Sequence, residues 1–144
     1  MTGLGSKAEN LARLRDEFAL TVPEFVSLPF AECIDDFERL GPALCAIIDG
    51  VLRGGDLSAA LTEIERELGG VRVRTSAEPT LAAIASRGWD RVSCRTSAAL
   101  EDGAGNSFAG QYESFVDLEP VVAVLRTAIL DCFRSVVSER VIRY

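Results

Sequence analysis

The run Arg91-Val92-Ser93-Cys94-Arg95-Thr96 decides between two architectures. Val92, Cys94 and Thr96 fall on one side of an extended chain and Arg91, Ser93 and Arg95 on the other, the period of two that marks a half-buried strand. Downstream, Glu101-Asp102-Gly103-Ala104-Gly105-Asn106 is dense in turn residues, and Phe108, Tyr112 and Val116 read as a returning strand. Residues 91–116 thus predict a long hairpin. Upstream, Val71 and Val73 alternate with Arg72 and Arg74, which predicts one more short strand. With these strands the chain is α+β and predominantly helical; with 71–75 and 91–116 as mere extended loops it is all-α.

Everything outside these runs has the helical period. Ser6-Lys7-Ala8-Glu9 fits a capping box ahead of Leu11, Leu14 and Phe18, and Thr21-Val22-Pro23 ends that helix. Phe30, Cys33, Ile34 and Phe37 form a second stripe, with Pro29 at its first turn. Gly41-Pro42 breaks this pattern, which restarts as Leu44, Ile47, Ile48, Val51 and Leu52 and stops at Gly54-Gly55. Asp56 is an N-cap for Leu57, Leu61, Ile64 and Leu68. A short helix from about Pro79 to Arg87 ends at Gly88. Asp117 reads as the cap of a long C-terminal helix, apolar nearly all round from Val121 to Val137, which predicts burial on most sides. N-terminal helices, a small antiparallel sheet and a central C-terminal helix complete the expected fold, a single domain over 1–144.

Composition narrows the function classes. The sequence has no run near the ~18 apolar residues of a membrane helix, and its start lacks the apolar region of a secretory signal, so a cytoplasmic, soluble protein is expected. Cys33, Cys45, Cys94 and Cys132 are scattered without paired spacing, which favours reduced core thiols over a zinc site. No histidine occurs, which removes Ser-His-Asp and Cys-His machinery. The acidic clusters Asp35, Asp36, Glu38 and Glu63, Glu65, Glu67 lie between core-facing positions and read as solvated helix faces. Gly103, Gly105 and Gly110 match no phosphate-loop spacing and read as turn glycines. No motif requires a metal or a cofactor.

Charge is uneven. The net charge is −7, which argues against nucleic acid as a partner. Yet residues 71–95 hold five arginines against Glu78 and Asp90. If both predicted strands share a sheet, Arg72, Arg74, Arg91 and Arg95 could converge as a face for an anion or an acidic partner, flanked by Trp89 and Tyr112.

Two functions compete on this reading. The first is a noncatalytic protein-interaction module (adaptor, chaperone, inhibitor or immunity-type protein), acting on a protein partner or as a homo-oligomer. The second is a small-molecule or anion-binding domain, or a small enzyme, with a pocket between the sheet and the C-terminal helix.

Overall fold

A computed structural model describes residues 6–97 and 111–143. The elements run α1 (Ser6–Asp16), α2 (Phe30–Cys33), α3 (Phe37–Leu52), α4 (Leu57–Leu68), a 3-10 turn (Thr75–Ala77), α5 (Glu78–Ala85), β1 (Val92–Arg95), β2 (Ser114–Leu118), α6 (Val122–Val136) and α7 (Glu139–Arg143). The α+β expectation holds: helices dominate, one antiparallel pair of strands forms the sheet, and a long helix follows it.

The core is built where the apolar stripes meet. Ile34, Leu40, Leu44, Ile64, Leu68, Leu81, Leu125, Ile129 and Phe133 form one buried cluster, which joins α3, α4, α5 and α6. Phe30 and Phe37 set their rings against Phe133 at centroid distances of 5.1 and 6.0 Å, an arrangement worth more than area alone for aromatic pairs. Helix α6 packs on α5 and on both strands. It buries Leu125, Ala128, Ile129, Cys132 and Phe133 but leaves Ala123 and Thr127 exposed, so it is buried on one broad face rather than on most sides.

Asp56 caps α4 as its sequence position implies, its carboxylate accepting from the Ser58 and Ala59 N–H groups at 2.7 and 3.3 Å. The turn before it needs both glycines. Gly54 sits at φ +95°, and a Cβ on Gly55 would lie 2.7 Å from the Gly50 carbonyl oxygen.

Four local expectations are corrected. The stripe Phe30–Phe37 is not one helix: Ile34 is extended and Asp36 is left-handed at φ 55°, so α2 ends at Cys33. Asp tolerates that region because its short side chain can bond locally. Gly41-Pro42 does not break a helix either, for α3 runs through Pro42. The ring deprives the Glu38 carbonyl of its helical donor, a loss that water can repair because both residues are exposed. Asp117 does not cap α6; it lies in β2 at φ 57°, and α6 begins only after Pro120. Helix α1 ends at Asp16, short of Thr21-Val22-Pro23, so Phe18 lies beyond it, and both Leu14 and Phe18 are exposed.

Residues 71–74 depart further from expectation. Val71 and Val73 are buried and Arg72 is exposed, as the alternation implies. The run does not join the sheet, however. Val73 makes an isolated bridge to Ile34, fixed by Asp35 N–H to Arg72 O at 2.9 Å and Arg74 N–H to Cys33 O at 2.8 Å. The breaks that shorten α2 thus free its end to pair with 71–74.

In the hairpin, Val92 faces Leu118, Cys94 faces Phe115 and Arg95 faces Ser114. Two residues of advance on β1 match three on β2, so β2 carries an extra residue beside the left-handed Asp117. Phe115 is inward ahead of that irregularity and Leu118 inward after it, which leaves Val116 exposed, against the inward position its spacing from Tyr112 suggests. The expected turn at 101–106, the phosphate-loop test at 103–110 and Phe108 lie outside the described residues.

Candidate functional site

The end of β1 meets the start of α1. The Ala8 N–H donates to Ser97 Oγ at 3.1 Å, across 89 residues of chain. This bond is the anchor of α1, whose Ala8 is buried while its far end is exposed. Around the junction stand Lys7 in the first turn of α1, then Arg95, Thr96 and Ser97 in succession. Arg95 follows the strand's alternation outward and is exposed, and no ion pair to it occurs among the described residues. Thr96 points inward, and its buried Oγ1 has no hydrogen-bond partner. Buried hydroxyls are rarely left in that condition.

Local charge at this junction differs from that of the whole molecule. Lys7 and Arg95 are cations and the helix start adds the positive end of a dipole, against the one carboxylate of the first turn, Glu9. A guanidinium, an ammonium and a hydroxyl are all donors, and the first two bring positive charge, which suits an anionic group.

The other predicted site residues are dispersed. Arg74 donates to the Ile34 carbonyl at 3.3 Å and to the Glu38 carboxylate at 2.9 Å, which ties 71–74 to α2 and α3. Glu38 is held below the ordinary carboxylate range by its own backbone N–H and then by Arg74. Arg72 is exposed on that same segment, far in the chain from the hairpin. Arg91, just ahead of β1, donates across the hairpin to the Asp117 carbonyl at 3.2 Å and pairs with the Asp117 carboxylate at 3.6 Å. Trp89 is half-buried against the core with the Arg87 guanidinium 5.0 Å above its ring, and Tyr112 is half-buried before β2. Arg72 and Arg74 therefore do not lie in the sheet that carries Arg95.

The surface of the described residues includes two depressions. One of about 510 Å³ lies between α3 and α4, lined by Ala43, Ile47, Gly50 and Ala59 with the carboxylates of Asp56, Glu63 and Glu67. Its charge repels phosphates. The other, about 340 Å³, lies between β2 and α6 over Phe115, Leu118, Val124 and Ala128, with Asp131 at its edge. This is the expected location between sheet and C-terminal helix, yet none of the named arginines lines it. Among the described residues no three Cys, Asp or Glu side chains gather as a metal site.

Lys7, Thr96 and Ser97 escape a reading by pattern. Lys7 is the single lysine of the sequence and looks like part of a capping box, while Thr96 and Ser97 look like the frayed end of a strand. The signal that links them is a contact between residues 8 and 97, which no local period contains.

The family model of the pyruvate phosphate dikinase AMP/ATP-binding domain matches residues 1–144, and the chain belongs to that family. No curated protein and no solved structure matches. The family overturns the expectation of a noncatalytic interaction module. Two inferences behind that expectation were too broad. An acidic total does not preclude a local basic site, and phosphate recognition needs donors and cations rather than histidine.

Proposed function

We propose that the chain takes part in binding the nucleotide its family is described by, ATP or AMP, and that the nucleotide's phosphates sit at the junction of α1 with the end of β1. The observation that carries the reading is the family match over the whole chain. The junction fits such a ligand on its own chemistry. Arg95 offers a fork of N–H donors and makes no ion pair among the described residues. Ser97 offers a hydroxyl and Lys7 a compact cation at a helix start, while Thr96 points inward, away from Arg95.

In this reading Arg95 and Lys7 orient and neutralise the phosphates, and Ser97 holds the two elements in register. Arg74 belongs to the frame, since its guanidinium is already committed to Ile34 and Glu38.

Calorimetric titration with ATP and with AMP tests this. Arg95→Ala and Lys7→Ala are each expected to weaken nucleotide binding about tenfold, the scale of one lost charge-assisted contact. Arg72→Ala, a cation of the same segment charge but away from the hairpin, should leave affinity within about twofold. Unchanged affinity in both Arg95→Ala and Lys7→Ala, or no binding of either nucleotide to the unmodified chain, would defeat the proposal.

A further inference from the structure

Cys94 and Cys132 meet across the interface between the hairpin and α6. Their sulfurs are 3.6 Å apart, although 38 residues separate them in the chain. Cys94 lies on the inward face of β1 and is half-buried; Cys132 lies on the buried face of α6. Both are free thiols. A disulfide needs the sulfurs at about 2.05 Å, so closure asks for about 1.5 Å of approach, within reach of side-chain rotation at a strand beside a bulge. The other two thiols are placed differently: Cys33 is buried between α2 and the core, and Cys45 is exposed on α3.

The pair is also polarised. Donation of the Cys94 S–H toward Cys132 lowers the Cys132 thiol and raises that of Cys94. Thr96 pulls Cys132 the same way, although its Oγ1 makes no hydrogen bond of ordinary geometry. One sulfur is thus the better nucleophile, and its neighbour keeps a proton to give away.

We propose that Cys94 and Cys132 are a modification site: a thiol pair that closes to a reversible disulfide under hydrogen peroxide. The Cys132 sulfur attacks one peroxide oxygen, the O–O bond breaks, and hydroxide leaves as water after taking up a proton. Cys132 is then a sulfenic acid. The Cys94 sulfur attacks it, the S–O bond breaks, and the hydroxyl departs as water with the Cys94 proton. Two thiols are oxidised and one peroxide is reduced to two waters. Peroxide is small enough to reach a sulfur that larger disulfides cannot. The bond clamps β1 to α6 and fixes the strand whose next residue is Arg95. It goes beyond the nucleotide reading and does not depend on it.

The test is peroxide treatment of the full chain, alkylation of remaining thiols and peptide mass mapping. The expected result is a fall from four alkylated cysteines to two, with the Cys94 and Cys132 peptides joined and separated again by dithiothreitol. Melting temperature should rise by roughly 5–10 °C on oxidation, as for a bond closing a loop of this length. A Cys33→Ser, Cys45→Ser double variant should behave alike, and Cys94→Ser should lose both the bond and the thermal shift. Cys94 and Cys132 remaining fully alkylatable, Cys132 passing on to sulfinic acid, or a bond to Cys33 or Cys45 instead, would overturn the assignment.

Discussion

Residues 71–74 and residues 91–96 carry the same alternation of inward residue and arginine, yet the fold makes a brace of the first and an open edge of the second. The first run follows a Gly-Gly turn and lands against the broken end of α2, where its backbone bonds to Cys33 and Asp35 and its Arg74 meets Glu38. The second pairs along one side with β2 and presents Arg95 to solvent beside the start of α1. Arginines spaced alike in sequence differ because of what stands opposite them. A carboxylate and a free carbonyl consume one; nothing described consumes the other.

The comparison is sharpest in the core beneath the brace. Ile34 is fully buried and makes the bridge to Val73, so Ile34→Ala should cost about 2–5 kcal/mol in chemical denaturation, the range for a large core residue. Val92→Ala, at a half-buried position of the hairpin, should cost about 1 kcal/mol because less of the side chain leaves an apolar environment. Equal losses at the two sites would mean that the hairpin is as deeply built in as the brace.

The arginines themselves come next in size. Arg74→Ala should destabilise the chain by about 1 kcal/mol, through the donor lost from the Ile34 carbonyl. Arg95→Ala should leave stability within about 0.5 kcal/mol, as for surface changes away from special contacts. The pair of variants therefore separates frame from site: one shifts the denaturation midpoint, the other shifts nucleotide affinity. A stability loss on Arg95→Ala would place it with the brace.

The smallest effect is in pH. Glu38 and Glu67 are both held below their ordinary value of 4.5, Glu38 by its backbone N–H and Arg74, Glu67 by Arg39 and Arg66. Groups whose folded pKa is depressed add stability that is complete above the unfolded value and is lost as pH falls through the folded one. Stability should thus hold above pH 4.5 and decline below it, and Arg74→Ala should make that decline shallower. Melting curves from pH 7 to pH 3 check this; a steeper acid decline in the variant would show that the brace does not act through Glu38.

Local pattern recovered what depends on local physics. The period of α4, its Asp56 cap and the glycines before it follow from residues within one turn of each other. So does the outward set Ser93 and Arg95 on β1, with Arg91 exposed just ahead of it. Failures fall where a distant partner decides. The stripe from Phe30 to Phe37 has a faultless helical period, but Ile34 gains more from pairing with Val73 than from continuing the turn. Pro42 looks like a stop, yet an exposed carbonyl makes its missing donor cheap to lose. Val116 faces water because Phe115 beside it takes the inward position, and the extra residue in β2 then returns Leu118 inward.

By itself, then, the chain's order of residues determined the helical period of α4, its Asp56 cap and the outward side of β1, since those rest on contacts a few residues apart. Tertiary structure alone decided which charges are spent and which remain open. Arg74 and Glu38 are 36 positions apart, Ala8 and Ser97 are 89. A pairing at such distance depends on how the whole core closes, and that is where the site is made.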